Sequence, residues 1–411
     1  MKTNNTASIL EQPKARVSFF KFWLQELKPK GKIFTPFNII SIPIILLGIV
    51  LIVIRFWNGL GTVSNLTQEV PWGLWKGFNV VTGVAFAGGA YVVTFMVYVL
   101  NNKLYKPIVR VTVLNGFLAY MFYAGALVLD LGRPWNIVNP IIGNNFGTNS
   151  VLFLVAWHFM LYMIAQLIEF SPAIAEWIGA RRAHKILSGM TLAAVIFGIT
   201  LSILHQSGLG ALYLMAKEKI HPLWYSEFIP IMFLVSSVFA GLSMVIFEGT
   251  LSQRVFFKQI SEKNQKARHN IVISLSRICA GAMFAYLFLQ MLVFIHEKRW
   301  DLLGTPMGYW FLFEMIGLVL LPMILYFQGY RNKNFKLILV ATILTMLGVV
   351  VNRLNVSVIG FRWDAAVRYF PSWMEFVITA TVILTEIWIF RWVIRRMPVL
   401  TEPPSWAKDD H

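Results

Sequence analysis

Ten long apolar runs constrain this chain more than any other feature. They cover 36–56, 76–100, 107–130, 150–170, 186–205, 228–248, 270–295, 308–328, 335–352 and 373–394. A helix needs about 20 residues to cross a bilayer's hydrocarbon core, and these runs approach or exceed that length. Each is continuously apolar rather than alternating, which argues against a membrane β-barrel. Only 13% of the residues are charged, where a soluble domain carries roughly 25%. The reading is an all-α integral membrane protein with about ten transmembrane helices. It divides into an arm over 1–35, a transmembrane domain over 36–396 and a tail over 397–411.

The formal net charge of +17 would raise nucleic acid as a partner for a soluble chain. Its distribution points to lipid instead. The basic residues gather in the N-terminal arm, around Lys103 and Lys106, at Arg181, Arg182 and Lys185, from Arg254 to Arg268, from Arg331 to Lys336, and from Arg391 to Arg396. With ten spans, all of these lie on one side of the membrane, and the positive-inside rule makes that side the cytoplasm, with both termini in it. No cleavable signal is expected, because a polar arm of about 35 residues precedes the first run. Within the arm, "VSFFKFWLQELK" (17–28) reads either as an interfacial helix or as a segment docked on a partner subunit. The single cysteine, Cys279, lies inside the seventh run. An intrachain disulfide or a Cys-ligated iron–sulfur cluster therefore cannot form.

The connections on the other, outer side are longer and rich in aromatic residues, Gly, Asn and Pro, as in "GRPWNIVNPIIGNNFGTN" (132–149) and "HQSGLGALYLMAKEKIHPLWYSE" (205–227). Long loops on one face mark a docking surface or a site more often than idle linker. Ionisable residues in or beside the runs are costly in hydrocarbon and point to function. Asp130, Arg133, His158, His205, His296, Glu314, Arg353 and Glu375 fall toward the outer side, and Glu169, Glu248, Arg277 and Glu386 toward the inner side. Each has a plain structural reading as well. Asp130 and Arg133 could be a helix-end ion pair, Glu169, Glu248 and Arg277 could snorkel to headgroups, and His205 and His296 could be interface residues. His158 and Glu314 lie too deep for easy snorkelling. A transmembrane haem relay needs paired histidines at matching depth, and only His158 is well inside a run, so no metal or haem site is assigned. "GVAFAGGA" (83–90) sets Gly83 and Ala87 at a spacing that lets helices approach closely.

The motifs "GLGTVSNL" and "PWGLWKGF" (59–78), "DLGRPWN" (130–136), "HQSGLGALYLMA" (205–216), "HPLWYS" (221–226), "VIFEG" (245–249) and "YFPSWMEF" (369–376) resemble the NrfD/PsrC-type membrane subunits. The likeness is greatest to the HybB branch found in quinone-linked [NiFe] hydrogenases. The resemblance implies two four-helix bundles plus flanking helices in a bacterial or archaeal cytoplasmic membrane, with the working face toward the periplasm. It implies no intrinsic cofactor, a quinone (menaquinone or ubiquinone) as substrate, and a periplasmic iron–sulfur subunit as partner. Beyond that subunit would lie a catalytic one: a hydrogenase, a molybdopterin enzyme or a multihaem cytochrome c.

Quinone chemistry moves two electrons and two protons, so its pocket needs polar, titratable groups near the electron-delivering face. Asp130 and His158 meet that description and lie on consecutive helices, with Arg133 and His205 as further quinone-pocket residues. His158 would bond a quinone oxygen and Asp130 would accept its proton. Glu248, Glu314 and Glu386 are candidates for a proton path. A passive anchor without its own quinone site is the competing reading. A secondary transporter is a third, disfavoured because paired broken spans in the two halves are absent.

Overall fold

A computed structural model describes residues 19–142, 147–257, 260, 262–366 and 368–407. Helix α1 (Phe19–Leu27) precedes ten helical spans. They are α2 (Pro36–Asn58), α3 (Trp75–Val99), α4 (Lys103–Asp130), α5 (Val151–Ile178), α6 (Arg181–Lys219), α7 (Ile229–Phe256), α8 (Ala267–Glu297), α9 (Pro306–Arg331), α10 (Phe335–Ile359) and α11 (Trp373–Ile394). The apolar runs anticipate all ten. In α5, α6 and α7 the helix extends beyond the run, through turns that mix polar and apolar residues. The chain is a multi-pass integral membrane protein.

Local chemistry fixes the ends. Thr35 caps α2 by accepting from Asn38 N, with Pro36 in the first turn, where its missing N–H costs nothing. Ser372 and Glu375 form a reciprocal capping box on α11. α5 stops at Gly179, whose φ of +75° an L side chain would resist. The outward faces stay apolar: Ile39, Ile40, Leu46, Val50 and Val53 of α2 are all exposed, as a lipid-facing surface requires.

Packing follows chain order. α5 lies most extensively along α6, α4 touches both α3 and α5, and α7 packs on α8 and α10, while α9 packs on α8 and α10. α2 and α11, far apart in sequence, pair with each other. Trp388 Nε1 donates to Ser41 Oγ at 2.9 Å and Arg391 to Asn38 Oδ1 at 3.0 Å. α3 and α7 approach most closely at facing glycines. A Cβ built on Gly241 would stand 1.9 Å from Gly89 N, and one on Gly89 would stand 2.5 Å from Gly241 O. The backbones therefore touch. The glycine-rich segment 83–90 does mediate close approach, but through Gly88 and Gly89; Gly83 instead faces the Tyr123 ring.

Both described ends of the chain meet on one face. Arg396 donates to Glu26 O and to Lys28 O, each at 2.7 Å, and Phe22 packs on Trp177 at 5.3 Å. Helix α1 is thus docked on its own chain, at the ends of α5 and α11, and residues 17–18 of the arm motif lie outside the described residues. We call this the termini face and the opposite one the far face.

Five stretches within the spans widen into π-helix: Trp75–Gly83, Phe95–Val99, Tyr120–Ala124, Glu314–Leu320 and Asn355–Ile359. Such widening is uncommon and gathers at functional sites. Four of the five carry the buried polar groups described next.

Candidate functional site

Asp130 ends α4 at the far face and is 3% exposed. Its partner is Lys76, in the π-helical start of α3, with Nζ 3.0 Å from Oδ2. Lys76 also donates to Pro71 O at 2.8 Å. Arg55, buried near the end of α2, donates from Nε to Leu129 O at 2.7 Å and from Nη2 to Leu131 O, and it lies near enough to act on the Asp130 charge. One carboxylate is therefore held between two cations at a helix end. Asp130 Oδ1 has no hydrogen-bond partner among the described residues.

The expected Asp130–Arg133 pair does not form. Arg133 is exposed and makes no ion pair among the described residues. The helix stops at Asp130 and Leu131 is extended, with ψ 124°, so residue 133 no longer stacks one turn above 130. Nor does the structure pair Asp130 with His158. The end of α4 leans on α3, whereas α5 packs on α6. His158 is close to His205 instead. Each lies seven residues from the far-face start or turn of its helix, at Val151 and Leu212, or about 10 Å deep. His205 donates from Nδ1 to Val155 O at 3.2 Å, the tautomer that leaves Nε2 as an acceptor. That Nε2 and His158 Nδ1 are buried without partners among the described residues. The rings of Tyr120 and Phe159 hold His205 at 5.5 and 6.3 Å.

Beside Asp130, Glu375 ties two far-face loops together. Its Oε1 accepts from Asn65 N at 2.9 Å and Ser372 N at 3.1 Å, and its Oε2 accepts from the Tyr369 hydroxyl. Trp75 Nε1 donates to Glu375 O at 3.1 Å, and Leu74 N donates to Tyr369 Oη at 3.0 Å. Burial, then the Glu375 carboxylate, push the Tyr369 phenol well above the ordinary tyrosine range. Segments 59–78, 130–136 and 369–376, separated by hundreds of residues in places, thus form one connected patch.

Glu314, on α9, occupies a second far-face cluster. Fully buried, it accepts from Trp224 Nε1 at 2.7 Å, Asn352 Nδ2 at 2.7 Å and Asn355 Nδ2 at 2.6 Å. Arg353 lies nearby, stacked 3.5 Å over the Phe233 ring and donating to Ser236 Oγ at 2.6 Å. The π-helical turns starting at Glu314 and Asn355 rotate these groups toward one another. A crevice lined by Trp224, Tyr286, Asn352 and Arg299 adjoins them.

Glu248 and Glu386 meet in a third place. Each stands eight residues before its helix ends at Phe256 or Ile394, about 12 Å from the termini face. They line one small pocket with Asn115, Thr112 and Tyr123. Asn115 Nδ2 donates to Glu248, Tyr123 is hydrogen-bonded to Glu386, and the two carboxyl groups interact. Glu314 does not join them. Sequence reasoning missed Lys76, Arg55, Asn115 and Tyr123. The signals were a lone Arg in "IVIRFW" and a lone Lys in "PWGLWKGF", each at the far end of an apolar span.

Among the described residues no group of three or more His, Cys, Asp or Glu could hold a metal ion. Comparison with known proteins matches residues 62–361 to the family described as polysulphide reductase, NrfD. A protein of Nitratidesulfovibrio vulgaris is 40% identical over 94% of this chain and its own full length. The probable Ni/Fe-hydrogenase 2 b-type cytochrome subunit of Escherichia coli is 30% identical over 93% of this chain and 96% of its own. A selenate reductase subunit of Mesobacillus selenatarsenatis is 24% identical over 51% of this chain and 55% of its own. The matched segment contains the Lys76–Asp130 pair, the His158–His205 pair and the Glu314 cluster, and the chain is accordingly a member of the NrfD family of membrane proteins.

Proposed function

We propose that this chain is the quinone-reactive membrane subunit of a respiratory oxidoreductase complex. It would exchange electrons between an iron–sulfur subunit seated on the far face and the membrane quinone pool, menaquinone or ubiquinone. Hydrogenase and selenate reductase in the names of two relatives support an oxidoreductase assembly. The observation that carries the quinone reading is the ion-paired Asp130 at the far-face edge of the apolar core, with Lys76, Arg55 and Tyr369 around it. A quinone head needs a hydrogen-bond donor for its carbonyl and a group that passes protons, and Lys76 and Asp130 supply these. His205, whose acceptor Nε2 has no partner among the described residues, is a second group that could take a proton or accept from a quinol hydroxyl. In this reading α3–α6 and α7–α10 are two four-helix bundles flanked by α2 and α11, both termini are cytoplasmic, and the far face is periplasmic.

Glu248 and Glu386 would carry protons from the cytoplasmic side toward that site, because they are the carboxyl groups that meet inside the membrane-spanning region nearer the termini face. The cytochrome in the name of the Escherichia coli relative raises haem, and the residues here fit it poorly. Among the described residues His158 and His205 lie at one depth within their spans, yet the rings of Tyr120 and Phe159 lie against His205, whose Nδ1 is already bonded to Val155 O. We read the protein as carrying no haem of its own.

The test is quinone-linked turnover of the membrane-bound complex carrying Asp130→Asn. A loss with the complex still assembled supports the reading. Full activity would leave a passive anchor as the better account.

A further inference from the structure

A cleft between α8 and α9 at the termini face belongs to none of the sites above. It encloses about 820 Å³, within the roughly 300–1,000 Å³ of small-molecule sites. Its mouth and its interior differ in chemistry. At the mouth are Arg277 and Arg331, with Tyr330, Gln328 and Asn332 between them. Arg277 lies 5.7 Å from the Tyr330 ring centre, which brings its guanidinium level with the last turn of α9. Both arginines are exposed, and neither has a carboxylate partner among the described residues. Deeper in, Phe284 follows Arg277 by seven residues, and Phe327 and Ile324 precede Arg331 by four and seven, roughly 6–10 Å further into the apolar layer. All three are exposed. The floor is open because Gly281 has no side chain, and a Cβ there would meet nothing within 4 Å.

We infer that this cleft holds an anionic phospholipid, with its phosphate between Arg277 and Arg331 and one acyl chain along Gly281, Phe284 and Phe327. Two unpaired guanidinium groups are suited to a phosphate, to which arginine donates in bidentate fashion. An apolar trench of chain depth directly below them suits a lipid rather than a free anion. Basic pockets between helices on the cytoplasmic side are a known form of headgroup recognition. The carboxylates of a protein segment would satisfy the arginines equally, but the trench beneath calls for a long apolar tail.

The full chain, purified with the subunits that accompany it, is exchanged into nanodiscs containing equal phosphatidylglycerol and phosphatidylcholine and analysed by native mass spectrometry. The expected result is retention of phosphatidylglycerol over phosphatidylcholine by roughly tenfold or more, from two basic contacts. R277Q/R331Q should abolish that preference, and Gly281→Phe, which fills the trench without touching backbone, should lower retention of both lipids. Equal retention of the two lipids by the unaltered protein, or an unchanged preference in R277Q/R331Q, overturns the inference. A photo-reactive residue placed at 281 in native membranes should capture lipid, and capture of a polypeptide would overturn it too. Gly281→Phe keeps the test decisive should the double arginine variant not fold.

Discussion

Replacing Lys76 by methionine removes the cation that, among the described residues, contacts Asp130 directly, while keeping most of the side chain's volume. In the structure the pair is 3.0 Å apart, with the Asp130 side chain 2% exposed and that of Lys76 24% exposed. Arg55 cannot take over fully, because Leu129 O and Leu131 O already engage its guanidinium. Breaking a buried pair from one side leaves an uncompensated charge, at a cost of about 3–5 kcal/mol. Arg55 nearby places the expectation at the lower end of that range. Asp130→Asn removes the other charge. Lys76 then keeps Pro71 O and its access to water, so the expected cost is about 1–3 kcal/mol. In K76M/D130N the carboxylate and its contacting ammonium are both gone, Arg55 keeps its two carbonyl acceptors, and the double variant should be more stable than K76M. The coupling is read as a double-mutant cycle on thermal unfolding in one detergent, with quinone-linked turnover measured in parallel. Both single variants and the double should lose that turnover. Additive stability effects would show that the pair is not energetically coupled, and retained turnover in assembled D130N complex would remove Asp130 from the chemistry.

Other outcomes follow from the same geometry. Gly241→Leu should prevent folding, because its Cβ would overlap Gly89 N, whereas Gly281→Leu should still fold, its Cβ meeting nothing within 4 Å; folding of both variants would refute the α3–α7 backbone contact. E248Q and E386Q should retain electron transfer to quinone but lose the membrane potential formed by the complex in liposomes, and an undiminished potential in both sinks the proton route. A reduced-minus-oxidised spectrum of the purified protein should lack a haem band, which checks the reading of His158 and His205. Glu314→Ala leaves the Trp224, Asn352 and Asn355 donors unpaired and should cost about 1–3 kcal/mol or more, while Glu314→Gln, which keeps an acceptor, should cost less; the comparison is made by thermal unfolding.

The ten spans and their order were legible in the residues, because a bilayer demands about 20 apolar residues per crossing and nothing else in the chain imitates that. Their limits were not: α6 runs to Lys219, where its apolar run ends at 205. Depth was legible only in part: counting from the run ends placed Asp130 at an edge and His158 and Glu314 inside, but it put His205 and Glu248 at run ends, and the helices continue seven and eight residues past them. Three of the motif segments, 59–78, 130–136 and 369–376, do meet in one patch, and Glu375 is legible as a residue at that end of its span. Pairing was not legible. Arg133 looked like the partner of Asp130 because it is three residues on, a relation that holds only while the helix continues, and the helix ends at Asp130. Lys76 and Arg55 reach Asp130 from helices 54 and 75 positions away in the chain, and sequence spacing carries no information about such contacts. In the same way Glu248 and Glu386 were two scattered carboxylates until α7 and α11 brought them to one pocket, while Glu314, grouped with them by residue type, belongs to a separate cluster. The sequence by itself determined how many times the chain crosses, since hydropathy is a property of short stretches. Which polar groups meet was decided by the tertiary structure alone, because it depends on helix rotation, on π-helical turns that re-aim side chains, and on glycines that let α3 and α7 touch.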